Sequence, residues 1–172
     1  SGATGKKIYR LDGTAAYDWL GFSVAAVGDI DGDGYDDILA GAPLADPSGI
    51  FDAGSALIYS GQTGAIIFQH DGTTASENVG IAVAGNQDMD RDGTPDLVVG
   101  APGADPGGQP YTGSAIALSG IDGSQILQTW GNAANDQLGH AVAMLPNLYR
   151  YQHSEILVGA HGFDFGSQLD AG

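Results

Sequence analysis

A repeat of 59 residues constrains this chain more than any other feature. The shift carries Asp29 onto Asp88 (88 − 29 = 59), Gly21 onto Gly80 and Gly139, and Val24-Ala25 onto Val83-Ala84 and Val142-Ala143. It also carries Gly41-Ala42-Pro43 onto Gly100-Ala101-Pro102 and Gly159-Ala160-His161, and Gly54-Ser55-Ala56 onto Gly113-Ser114-Ala115, without a gap. A unit repeated in phase buries its apolar surface against its neighbours, so the fold is an array of like parts.

Within one unit the pattern is that of short strands. Strand A is expected over residues 22–27 and strand B over 37–40, a short apolar run suited to burial on both faces. A long polar loop spans 44–53. Strand C (55–60), a tight turn at 61–64 and strand D (65–69) form a hairpin, and a loop over 71–79 leads to the next unit. Helical spacing is not sustained anywhere. Four antiparallel strands per unit, repeated radially, describe a β-propeller. The expected fold is all-β: four-stranded antiparallel blades in about three repeats forming a partial ring. The single segment 1–172 divides into units of roughly 5–63, 64–122 and 123–172. The last unit is incomplete, because Gly172 falls in phase with Gly54, where strand C would begin. The chain opens with a D-type strand at 6–11, the counterpart of 65–70. Propellers typically have about 4–8 blades, so further blades are expected from a longer chain or from other copies.

The chemistry lies between strands A and B. Residues 29–37 read Asp29-Ile30-Asp31-Gly32-Asp33-Gly34-Tyr35-Asp36-Asp37, and residues 88–96 read Asp88-Met89-Asp90-Arg91-Asp92-Gly93-Thr94-Pro95-Asp96. The side chains at positions 1, 3, 5 and 9 are Asp29, Asp31, Asp33 and Asp37 in one copy. In the other they are Asp88, Asp90, Asp92 and Asp96. Position 7, Tyr35 or Thr94, offers a backbone carbonyl. Four carboxylates so close together repel one another. Calcium, which takes about 6–8 oxygens at roughly 2.3–2.6 Å, gives them a reason to converge. An Asp/Gly-rich run is ordinarily a solvated turn, but two copies at identical spacing point to two Ca²⁺ sites. Gly34 and Gly93, at position 6, permit the sharp turn. An EF-hand does not fit: position 12 is Ala40 or Val99 where that loop needs a bidentate acid, and the flanks read as strands. The third copy, 147–155, has Asn147, Tyr149, Tyr151 and Glu155 at the ligand positions, with Arg150 among them. It is expected to be metal-free.

Gly21-Phe22, the acidic loop and Gly41-Ala42-Pro43 resemble the FG-GAP repeat, the blade unit of the integrin α-subunit propeller. The second unit matches at Gly80, at residues 88–96 and at Gly100-Ala101-Pro102, with Ile81 in place of the aromatic. The third keeps Gly139 and Gly159-Ala160 but has His140 and His161 where Phe and Pro stand in the motif. The resemblance covers nearly the whole chain. It implies protein binding through the face that carries the long loops.

Composition narrows the function classes. Five basic residues against 21 acidic ones give a net charge of −16, which argues against nucleic acid and anionic membrane surfaces. No apolar run approaches the ~18 residues that span a bilayer, so direct membrane insertion is not expected. Cysteine is absent and no Gly-x-Ser-x-Gly occurs. His70, His140, His153 and His161 do not recur in phase. Nothing here suggests an enzyme. Weak calcium sites fill where calcium is about millimolar, which points outside the cell.

Strand direction alternates, so the A–B and C–D connections share one face and the B–C and D–A connections share the other. Most connection aromatics belong to the second face: Tyr17, Trp19, Phe51, Tyr111, Phe163 and Phe165. They either fill gaps between blades or form a ligand surface. The expected function is a calcium-binding module of an extracellular or cell-surface protein, mediating adhesion or assembly through a protein or glycan ligand. A carbohydrate-binding or accessory domain of a secreted hydrolase or lyase remains an alternative, as does a purely structural spacer.

Overall fold

A computed structural model of the chain describes residues 1–8, 10–146, 154–163 and 172. Among the described residues, short apolar segments between glycine-rich turns form ten strands. They are β1 (Ser23–Gly28), β2 (Asp37–Ala42), β3 (Ser55–Tyr59), β4 (Ile66–Asp71), β5 (Ala82–Gln87), β6 (Asp96–Ala101), β7 (Ser114–Leu118), β8 (Gln125–Trp130), β9 (Leu138–Leu145) and β10 (Glu155–Ala160). The sheets run β1-β2-β3-β4 and β5-β6-β7-β8, with β9 and β10 forming a two-stranded third. All paired strands are antiparallel. These are propeller blades: two complete ones and the first two strands of a third, in the phase of the 59-residue repeat.

Two expectations need correction. Strand B runs beyond residue 40, because Gly41 and Ala42 pair with Ala56 and Ser55 of β3. The D-type strand at 6–11 does not form among the described residues. In the complete blades strand D is held by a C strand, as β4 is by β3, and no described strand offers residues 6–11 that edge.

Each blade has a leading face, turned toward the preceding unit, and a trailing face, turned toward the following one. On blade 1 the register aligns Ala25, Leu39, Ile58 and Phe68 across all four strands. This trailing row meets Val83, Val99 and Ile116 of blade 2 in one apolar core with Val27, Val79, Leu97 and Leu118. Leu39, Ile58, Leu97 and Leu118 are fully buried there, each contributing about 2 kcal/mol of transfer free energy. A smaller cluster on the leading side of blade 1 gathers Ala40, Leu57 and Tyr59 under Leu11 and Leu20.

Glycines set how closely the blades approach. A Cβ at Gly41 would collide with the Gly80 carbonyl, and one at Gly100 with the Gly139 carbonyl. The Gly80 N–H donates to the Gly100 carbonyl at 3.0 Å, as Gly21 does to Gly41 at 2.9 Å. The Gly-Ala-Pro glycine is therefore fixed by the backbone of the next unit.

The loops divide between the two faces as strand direction requires. The Gly61 N–H of a C–D turn donates to Asp37 at the end of the A–B loop. On the other face Ser76 and Asn78 of a D–A loop donate N–H bonds to Phe51 and Asp52 of a B–C loop. Gly54 and Val79 form a parallel bridge beside them.

Candidate metal centre

The A–B loops fold on their own carboxylates. Asp29 Oδ1 accepts the N–H groups of Gly32 (2.8 Å) and Asp33 (3.0 Å), and its Oδ2 accepts that of Gly34 (2.9 Å). Asp31 accepts from Asp33 at 3.1 Å and Asp33 from Tyr35 at 2.9 Å. The second loop repeats this. Asp88 accepts from Arg91 (2.6 Å) and Gly93 (3.1 Å), Asp90 from Asp92 (3.1 Å) and Asp92 from Thr94 (2.7 Å). Gly34 and Gly93 take φ of 90° and 95° at the sharp turn, a conformation glycine adopts at little cost.

The result is a convergence of oxygens. Carboxylate oxygens of Asp29, Asp31 and Asp33 lie within 4.8 Å of one another, as do those of Asp88, Asp90 and Asp96. Oxygens on a calcium coordination sphere of roughly 2.4 Å radius are at most about 4.8 Å apart, so this spacing and the all-oxygen donor set suit a hard cation. The two groups are not identical: the first leaves out Asp37 and the second leaves out Asp92. Tyr35 and Thr94 close the turn with their N–H groups on Asp33 and Asp92.

The position-9 acid has a second task. Asp37 is fully buried. Its Oδ2 accepts the N–H groups of Ile30 (2.8 Å) and Asp31 (3.4 Å), and its Oδ1 accepts that of Gly61 (2.8 Å). Asp96 does the same with Met89 (2.6 Å), Asp90 (3.4 Å) and Gly120 (3.0 Å). Each carboxylate thus joins the start of its loop, strand B and the next C–D turn. Burial pushes the Asp96 carboxyl above its ordinary value, against the pull of the Met89 and Gly120 amides. Desolvation raises the Asp31 carboxyl too, and the charges of Asp37, Asp33 and Asp29 act in the same direction. A bound cation would favour the ionised form of every one of these groups.

Sequence reading missed two sets of residues. Gly61 and Gly120 supply the third amide to the position-9 acid, and a Cβ at either would strike the carbonyl of Asp36 or Pro95. Their signal is the dipeptide Ser60-Gly61 recurring as Ser119-Gly120. The second set is Asp18, Glu77 and Asp136, also in phase. Glu77 accepts from the N–H groups of Thr73 and Thr74, Asp136 from Asn132 and Ala133, and Asp18 from Ala15. These acids fix the D–A turns and are not part of the clusters. The third A–B loop lies mostly at 147–153, outside the described residues, as does Phe165.

The fold and loops define a class: an array of propeller blades whose A–B loops gather carboxylates. Residues 20–59 and 79–118 match the sequence model of the FG-GAP repeat. The chain is similar to human integrin alpha-IIb, 37% identical over 108 residues, covering 59% of this chain and 10% of that protein. It is 35% identical to Xenopus laevis integrin alpha-5 over 103 residues, 55% of this chain and 10% of that one. Chicken (Gallus gallus) integrin alpha-6 is 39% identical over 103 residues, 56% and 9% of the two chains. Residues 20–59 and 79–118 are therefore FG-GAP repeats, and the chain is similar to integrin alpha chains over somewhat more than half its length. The matched stretch spans about a tenth of the length of these curated relatives.

Proposed function

We propose that this is a calcium-stabilised, non-enzymatic propeller module of an extracellular or cell-surface protein, serving adhesion or assembly through its long-loop face. The observation that carries the reading is the pair of in-phase carboxylate clusters, each with oxygens within 4.8 Å of one another. In this reading Asp29, Asp31, Asp33 and Asp37 hold one Ca²⁺, and Asp88, Asp90, Asp92 and Asp96 hold the other. The carbonyls of Tyr35 and Thr94 complete the sets. The ion supplies charge neutralisation only. The residues do the rest: they tie the A–B loop to strand B and to the C–D turn, and so keep the opposite loops on a rigid blade. Similarity to integrin alpha chains supports the cell-surface location and a protein ligand. Among the described residues no helix is long and apolar enough to cross a membrane.

Calorimetric titration of metal-stripped protein tests the metal part. It should show about two equivalents of Ca²⁺; no binding, or three equal sites, would refute it. A pull-down from native cell surfaces, with and without chelator, tests the ligand part.

A glycan ligand is the second reading. It is favoured by the exposed aromatics of the long-loop face, Tyr17, Phe51 and Tyr111. Shallow hollows are lined by Thr14, Asp18 and Asp46 at one place and by Thr73, Glu77 and Trp130 at another. Retention on a glycan array with no protein captured would select it.

A further inference from the structure

We propose that position 8 of an A–B loop is a positioning residue for the metal centre of the preceding blade, so that Pro95 makes the two calcium centres fill cooperatively. This rests on the calcium reading above and concerns only joints inside the chain.

Pro95 stands between Thr94 and Asp96, positions 7 and 9 of the second loop. Its ring crosses the joint to blade 1. A Cβ on Gly28 would collide with Pro95 Cγ at 2.8 Å and come within 3.3 Å of Pro95 Cβ. Gly28 is buried and takes a φ of 79°, so a proline ring lies on bare backbone. That backbone is joined to both ends of the first loop. Gly28 precedes Asp29 at position 1, and the bulge in β1 pairs it with Asp37 at position 9.

The next joint repeats the arrangement one period later. Ser154, in phase with Pro95 (154 − 95 = 59), donates its Oγ–H to the Asp88 carbonyl at 3.3 Å. Asp88 is position 1 of the second loop, and its neighbour Gln87 pairs with Asp96. A ring and a hydroxyl share no chemistry, so what recurs is the place of contact.

Both loops have to close further on an ion, because the first cluster leaves out Asp37 and the second leaves out Asp92. The joint between them has little slack. Proline fixes its own φ, and the Pro95 carbonyl lies so close to Gly120 that a Cβ there would collide with it. Closure of the second loop draws Thr94 and Asp96 onto their ion and carries Pro95 with them. Pro95 then holds Gly28, the strand partner of Asp37, in place for closure of the first. Repulsion between the two ions opposes this. At about 0.15 M salt a Debye length of about 8 Å weakens that repulsion between exposed loops, and the contact decides the sign. Such coupling is reciprocal: each ion raises the affinity for the other by the same factor.

Calorimetric titration of the metal-stripped chain with Ca²⁺ at about 0.15 M salt, beside thermal melts in chelator, tests this. Asp31→Ala and Asp90→Ala each leave one centre able to bind. The wild type should take up two equivalents cooperatively. Each single-centre variant should take up one, with affinity at least about fivefold weaker than the wild type shows. Pro95→Ala should keep both equivalents and lose the cooperativity, while Pro95→Val, which keeps a side chain against Gly28, should retain it. Independent filling of two centres in the wild type overturns the proposal and leaves the calcium reading standing. No uptake of Ca²⁺ at all overturns both. Cooperativity that persists in Pro95→Ala, or is lost equally in Pro95→Val, overturns the role of the contact. If Pro95→Ala melts lower in chelator, the single-centre variants decide, since neither alters the joint: weakened affinity upholds the coupling and wild-type affinity overturns it.

Discussion

Removing the Asp37 side chain frees three backbone N–H groups at once, those of Ile30, Asp31 and Gly61. The Ile30 bond is buried and the other two are part-buried; losing the acceptor of a buried donor costs about 1–3 kcal/mol, and the part-buried ones less. Asp37→Ala should therefore lower stability by about 3 kcal/mol in chelator as well as in calcium. A side chain that only ligated the ion would matter in calcium alone. Asp36 is exposed one residue earlier, and Pro95 stands at its equivalent position. Asp36→Ala should shift stability by no more than about 0.5 kcal/mol. Paired melts of the two variants, with and without chelator, check both expectations. Positions 1, 3, 5 and 9 of the loop are legible in the sequence, because alternate acids with a following glycine repeat at fixed spacing. The amide partner of position 9 is not, because Gly61 lies 24 residues further along and only the folded blade brings it close.

Between elements, the A–B loop and the C–D turn meet too closely for any side chain at Gly61 or Gly120. Gly61→Ala and Gly120→Ala should each cost about 1–3 kcal/mol, the usual penalty of overpacking, and denaturant titration would show it. Strand β4 carries a second, pH-dependent effect. Burial lowers the His70 imidazole below its ordinary 6.5, although Glu77 and Asp71 act against this. Below that value the unfolded chain takes up the proton more readily than the native one. His70 therefore costs stability as pH falls from above 6.5, and nothing above it. His70→Gln should flatten the decline in melting temperature between neutral and mildly acidic pH. The strands themselves were readable from alternation and glycine punctuation. Residues 6–11 show the limit of that reading: their phase marks a D strand, but a strand needs an edge to bond to. The aromatic positions were readable as well, but not the αL backbone they occupy. Tyr17 and Trp19 have φ of 74° and 58°, values shared by their equivalents Ser76 and Asn78 at 60° and 56°.

At the scale of the whole molecule, calcium is expected to act as a stabiliser by mass action. With ~1 mM Ca²⁺ and a site Kd of ~0.1 mM, each site adds roughly 1.4 kcal/mol. Chelation should lower the melting temperature. Magnesium should restore it poorly, because it demands tighter octahedral geometry and gives up water reluctantly. Scanning calorimetry in calcium, magnesium and chelator separates the three states, and a melt indifferent to all of them would argue against ion binding at either loop. The joint between blades has a consequence of another kind. Its closest approach sets the Gly-Ala-Pro glycine of one unit against the motif glycine of the next, Gly41 against Gly80 and Gly100 against Gly139, so that contact is the same whichever two units meet. Deleting one whole period brings Gly139 to Gly41 in place of Gly80 and restores the same contact. A deletion that removes either glycine from that contact puts a side chain where none fits. In such a gene, gain or loss of blades proceeds by whole periods, and the 59-residue step acts as a reading frame for the architecture.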